Sequence, residues 1–126
     1  MPRSPIDIEQ RIEYAIDFIV DILIFNPPLN RVFYNLIHMT FERKALGNVV
    51  KKMFQDYRER LVRVFKEAGA GPESKVLGAA LVAITEGFSL QLMIDPRAFK
   101  RADVRRSIAQ ALSDRLAIVQ GLGKSA

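Results

Sequence analysis

Two side chains in this sequence sit where acid–base or ligand chemistry could be done, the single histidine His38 and the carboxylate Glu86. His38 lies between Ile37 and Met39, and Glu86 lies between Thr85 and Gly87 inside a long apolar run. A histidine or carboxylate in apolar surroundings is the usual raw material of a general acid or base. A metal site at His38 would need acids at matching positions, and none is spaced around it. Cysteine is absent, which removes disulfides, thiolate ligands and thiol nucleophiles. There is no phosphate-cradling glycine loop, no nucleophile elbow and no helix-borne pair of metal ligands. An enzyme is therefore the least supported class, and neither catalytic residues, a metal nor a cofactor is expected. Glu86 is left with three roles: orienting an effector, accepting a hydrogen bond across a dimer, or holding a local network together.

Binding is better provided for than catalysis. Phe18, Ile22, Phe25, Phe33, Ile37, His38, Phe41, Phe54 and Tyr57 form the pool from which the wall of a pocket would be drawn. His38, Tyr57, Thr85 and Glu86 are its available polar groups. Small-molecule sites are mostly apolar with a few directed polar groups, and aromatic walls suit a lipophilic or flat molecule. The alternative is that these side chains simply pack as core.

Such residues must be carried by helices. The breakers Pro27 and Pro28, Gly47, Gly69 through Pro72, and Pro96 are widely spaced, and the apolar spacing between them is helical. No segment alternates with a period of two, so no sheet is expected. The first helix is predicted to start at a Ser4 cap with Pro5 in its first turn and to close at Asn26, with Ile8, Ile12, Ile16, Ile19 and Leu23 on one face. Its other face reads Glu9, Glu13, Asp17, Asp21. Like charges four residues apart repel, so either a basic neighbouring helix or solvent must compensate this row. The second helix is predicted from Pro28 to Ala45, the third from Asn48 to Ala68, ended by Gly69 to Gly71, and the fifth from Arg101 to Leu122.

The fourth helix, from Pro72 to Asp95, is different. Between Val76 and Ile84 it is apolar on every side, with Gly78, Ala79, Ala80 and Ala83 among larger residues. A helix apolar all round must be covered all round, and in a chain of 126 residues a second subunit is the expected cover for one flank. The candidate interface takes Leu77, Gly78, Leu81, Val82 and Phe88 from this helix and Val104, Ile108, Leu112 and Leu116 from the fifth.

Composition supports one folded domain spanning residues 1–126. Hydrophobic residues make up 49% and charged residues 26% of the chain, ordinary for a globular protein. The net charge of +5 is dispersed, with acids interleaved among the bases, which fits solvated helix faces better than a phosphate track. Val76 to Ile94 is long enough to span a bilayer, yet Glu86 at its centre would cost about 2.5–3.5 kcal/mol there, so burial in protein is the better reading and no membrane partner is expected. Met1 to Ile8 has none of the features of a signal peptide, and a cytoplasmic location is expected.

The stretch LGAALVAITEGFSLQLMIDPRAF, Leu77 to Phe99, resembles the penultimate helix and following turn of the TetR family of transcriptional regulators. MFQDYRERLVRVFKEAGAG, Met53 to Gly71, resembles the helix before it. The acid–glycine pair Glu86-Gly87, the apolar run after it and Asp95-Pro96 carry the likeness. The resemblance implies an all-α, five-helix orthogonal bundle that binds a small-molecule effector and homodimerises through its last two helices, which form a four-helix interface. It also implies DNA binding through a separate helix-turn-helix domain. Nothing before Ser4 encodes such a domain, so contact with DNA is expected only through a part missing from this chain. The competing reading is a helical homodimeric interaction module with no ligand.

Overall fold

The computed structural model describes residues 5–125, with side chains described for 8–116. Five helices account for almost all of it, and no strand occurs among the described residues. They are α1 (Pro5–Phe18), which continues into a π-helical turn (Ile19–Ile24), α2 (Pro27–Thr40), α3 (Lys44–Glu67), α4 (Ser74–Ile94) and α5 (Arg101–Ser125). A short 3-10 turn (Gly71–Glu73) leads into α4. The expected Ser4 cap lies outside the described residues.

Local chemistry explains the boundaries. Asn26 caps α2, its side chain accepting from the Leu29 amide at 3.4 Å, with Pro27 in the first turn where a missing N–H costs nothing. The α3 helix ends at Gly69, whose φ of +87° puts it in the left-handed region that a glycine enters without a Cβ penalty. The second helix stops at Thr40, earlier than its apolar pattern predicts. The Thr40 hydroxyl turns back to the Ile37 carbonyl at 2.6 Å, and the chain leaves through Phe41 into α3. The third helix accordingly begins four residues earlier than expected, and Gly47 lies inside it rather than between helices.

The main departure is the π turn. Where one continuous α-helix is expected, the backbone between Ile19 and Ile24 widens, and the Phe25 amide donates to the Val20 carbonyl five residues back at 3.0 Å. Across the turn side chains recur five residues apart instead of four: Ile19 and Ile24 are both core residues, whereas Ile16 and Val20, at its start, keep the ordinary spacing of four. The buried amide of Asn30 donates to the Ile24 carbonyl at 2.9 Å and supports the end of the turn.

Helix α4 is the hub, packed against α3, the π turn, α2 and α5. The core joins Ile16, Ile19, Val20 and Ile24 to Leu61 and Phe65 of α3, Leu77, Leu81, Val82 and Leu92 of α4, and Val104, Ile108 and Leu112 of α5. Each such side chain contributes about 1.5–3 kcal/mol on burial. Gly71–Ile94 is long and apolar enough to cross a membrane by length and composition, but one flank of it is this core.

The acidic row of α1 does meet a basic neighbour. Arg105 of α5 reaches Glu13 at 2.7 Å and Asp17 at 2.9 Å, and Arg101 pairs with Asp21 in the π turn. Arg101 also lies over the Phe25 ring, 4.9 Å from its centroid. These pairs are largely solvent-exposed, so each is worth at most about 1 kcal/mol; their role is to set how α5 lies along α1.

Candidate functional site

A cavity of about 330 Å³ opens between the end of α1, α2, α3 and the middle of α4. Phe18 and Leu23 form one wall, Leu29, Asn30 and Phe33 another, and Met53, Phe54, Asp56, Tyr57 and Arg60 a third, with Glu86 contributed by α4. Phe18, Leu29 and Met53 remain more than a third exposed, so the cavity is a cleft with a mouth rather than a sealed void.

The π turn decides which residues of the first helix arrive. On a continuous α-helix Phe18, Ile22 and Phe25 would share a face. With the wider turn, Leu23 takes the place below Phe18, while Ile22 is left 47% exposed. Phe25 turns away, under Arg101 and into a smaller cavity of about 130 Å³ on the other side of Asn30.

On α2 and α3, Phe33 and Phe54 meet as a tilted pair with centroids 5.3 Å apart, a favourable aromatic geometry that fixes both rings in the wall. Tyr57 brings its hydroxyl into the buried end. Burial pushes the phenol up to about 12, opposed by a hydrogen bond with the neighbouring Thr85 hydroxyl and assisted by the Glu86 charge. Thr85 is fully buried and donates to the Leu81 carbonyl at 2.8 Å; it stands behind Tyr57 and does not line the cavity.

Glu86 is half-buried, and burial raises its carboxyl above the ordinary glutamate range. Its backbone carbonyl accepts from the Tyr34 hydroxyl at 3.3 Å, which ties α2 to α4 at the level of the cavity. No ion pair reaches its carboxylate among the described residues. The other two charged lining residues, Asp56 and Arg60, are exposed, and Asp56 has Lys52 at 3.6 Å. No group of acids and histidines able to hold a metal occurs among the described residues.

Of the residues expected in a pocket wall, Phe18, Phe33, Phe54, Tyr57 and Glu86 come together. The others do not join them. Ile37 is half-buried elsewhere on α2, His38 is exposed in its last turn, and Phe41 is 84% exposed beyond its end. Leu23, Leu29, Asn30, Met53, Asp56 and Arg60 were not anticipated. For α2 and α3 a signal existed: Leu29 lies one turn before Phe33, and Met53 and Arg60 lie one turn either side of Tyr57.

The residues expected at a dimer interface are also relocated. Leu77, Leu81, Val82, Val104, Ile108 and Leu112 are each no more than 7% exposed within the single chain, so a partner cannot reach them as the chain stands. Gly78 is likewise turned inward, where a Cβ would lie 2.7 Å from the Val62 side chain of α3. Phe88 and Leu116 are half-buried, Phe88 resting edge-on against Phe99. The flank of α4 that remains uncovered carries Val76, Leu90 and Ile94, with the small residues Ala79 and Ala83 exposed between them.

A helical bundle with an open, aromatic-walled cleft and an uncovered apolar flank on its central helix is the architecture the TetR resemblance implies for a regulatory domain. A family model described as BetI-type transcriptional repressor, C-terminal, matches residues 8–117. No match was found among curated proteins or among solved structures. The family match takes in the whole cavity and all but the ends of the chain, and the chain belongs to the TetR family as a C-terminal domain of BetI-type transcriptional repressors.

Proposed function

We propose that this domain senses a small lipophilic or aromatic molecule in the cleft between α1, α2, α3 and α4, and that it acts as a homodimer whose DNA contact is made by a separate helix-turn-helix domain. The observation that carries the reading is the cleft itself: about 330 Å³ of largely apolar space with a mostly buried phenol, Tyr57, and a half-buried carboxylate, Glu86, in its wall. Sites for small ligands have this composition, whereas an interaction module without a ligand would fill the space with its own side chains. A cytoplasmic location goes with this role.

For the dimer, the supporting feature is the row Val76, Ala79, Ala83, Leu90 and Ile94, which is apolar, follows helical spacing and offers small residues at its centre for close approach. Sedimentation at micromolar concentration gives the test. The wild-type chain should run as a dimer, and Ala83→Arg should run as a folded monomer; a wild-type monomer would remove this part of the proposal. Thermal unfolding against a panel of aromatic compounds tests the cleft, since a ligand of the folded state must raise Tm by mass action.

A further inference from the structure

We propose that the smaller cavity, between the π turn, the start of α2 and the corner joining α4 to α5, is a second binding site, for a compact organic carboxylate whose charge is taken by Arg101. It is a different site from the effector cleft and stands or falls independently of it.

The walls set the body of the ligand. Ile24, Leu92 and Met93 give the cavity an apolar lining, and Pro27 and Pro96 add two stiff sides that have no backbone N–H to satisfy. Asn30, whose amide is held by the Ile24 carbonyl, lines both cavities and so forms the partition from the larger cleft. The space is about 130 Å³, against about 330 Å³ for the cleft. An apolar cavity of about 150 Å³ takes up benzene, so the body that fits here is one small ring or an alkyl group of that size.

The charge of the site is positive. Arg101 lines the cavity, and its guanidinium lies over the Phe25 ring, which lines it too, so the cation has one face fixed. Asp21, which is not part of the lining, pairs with Arg101 through Nη1. A guanidinium carries five N–H donors in a rigid fork that matches a carboxylate, so donors remain for a second acceptor. No acid lines the cavity to supply one. The corner itself carries Arg97 and Lys100, both exposed, against one acid, Asp95, whose carboxylate accepts from the Arg97 amide. A local excess of positive charge beside an apolar space favours an anion with an apolar body over a neutral molecule or a cation.

Titration of the full chain with benzoate and with its neutral counterpart benzamide, followed through the backbone amide resonances by NMR, tests the assignment. Benzoate at millimolar concentration should shift the amides of residues 24–26 and 92–101 and leave those of 53–60, in the cleft, in place. It should bind about fivefold more tightly than benzamide, the upper range for an ion pair with a half-exposed arginine. Arg101→Gln should abolish that preference and leave benzamide binding unchanged. Asp21→Asn should strengthen benzoate binding, because it frees Nη1 and removes a competing negative charge. A loss with Asp21→Asn equal to that with Arg101→Gln would mean that Arg101 acts only by tethering α5, and overturns the proposal. Arg60→Gln, in the cleft, should change nothing. Shifts confined to residues 53–60, or a loss with Arg60→Gln, would place benzoate in the cleft and overturn the second site while leaving the effector reading intact. Equal binding of benzoate and benzamide overturns the carboxylate assignment, and binding of neither overturns the site.

Discussion

Helices α2 and α4 are neighbours, yet they are used in opposite ways. Eight residues of α4 are buried, among them Thr85 and Ser89, so it is held on several sides. On α2 the only fully buried residue is the polar Asn30, while Leu29, Val32 and Met39 remain exposed. The difference divides the molecule into a close-packed half, made by α1, α4, α5 and the end of α3, and a loosely covered half, made by α2 and the first part of α3. The cleft lies along the seam. A ligand site needs one wall that keeps its geometry and one that can yield, and local stability follows the density of buried apolar contacts.

Mutations on the two sides should therefore separate sharply. Phe65→Ala and Ile108→Ala remove fully buried side chains from the packed half and should cost about 3–5 and 2–5 kcal/mol respectively. Phe41→Ala and Val32→Ala, on the open half, should stay within about 0.5 kcal/mol. Chemical denaturation of the four variants checks this, and comparable losses on both sides would erase the division.

Asn30 is the joint between the halves, and its removal should have the next largest effect. Asn30→Ala leaves the Ile24 carbonyl at the end of the π turn without its donor and should cost about 1–3 kcal/mol. Amide exchange in residues 19–25 should quicken more than in α4; equal acceleration throughout would mean that the turn has no separate stability.

Two glycines on opposite faces of α4 sharpen the contrast within the packed half. At Gly78 a Cβ would meet not only the Val62 side chain but the Val62 amide nitrogen at 3.1 Å and the Arg58 carbonyl at 3.3 Å, so α3 itself must give way. Gly78→Ala should destabilise by about 1 kcal/mol even after the gain in helix propensity. Gly87 has nothing within 4 Å of a Cβ, and Gly87→Ala in a monomer should stabilise by about 0.5–1 kcal/mol. A dimer that packs closely on this flank would reduce or reverse that gain, so the sign, read at concentrations above and below dissociation, reports on the interface.

The smallest effect is a pH dependence. Burial raises the Glu86 carboxyl, so the folded chain holds this proton more tightly than the unfolded chain. The resulting stability is fully present below the ordinary value of 4.5 and is lost as pH rises through the folded value. The groups facing Glu86 are Tyr34 of α2 and Tyr57, Asp56 and Arg60 of α3; both phenols are raised mainly by burial and stay neutral through this range. Glu86→Gln should melt slightly above wild type near neutral pH, and the difference should narrow toward about pH 4. A gap independent of pH would point to packing instead of charge.

How much of this was legible follows from the same residues. Helix number, the fully apolar flank of α4 and the stop at Gly69 are local properties, expressed in residue type and spacing. The cleft was legible where the helix is regular, so Phe33, Phe54 and Tyr57 come together. It was not legible around residue 22, because the π turn carries no distinctive residue and is held by a distant one, Asn30. The residues assigned to an interface are buried within the single chain for another reason. Periodicity shows that α4 is apolar all round, but which flank the chain covers for itself depends on how α3 and α5 cross it.

The π turn also bears on how this chain tolerates changes of length. Each residue of an α-helix advances the spiral by about 100°, so a deletion within one rotates everything beyond it and scrambles the buried face. Between Ile19 and Ile24 the helix already holds one residue more than an α-helical turn would. Losing one there would tighten the coil without displacing Asn26 and the Pro27 start of α2 by a full step. Leu23 would then follow Phe18 by four residues instead of five and keep its place below it. A one-residue gap in a relative's sequence belongs at this turn, and it would mark a chain with the same scaffold and the same residue types along the cleft.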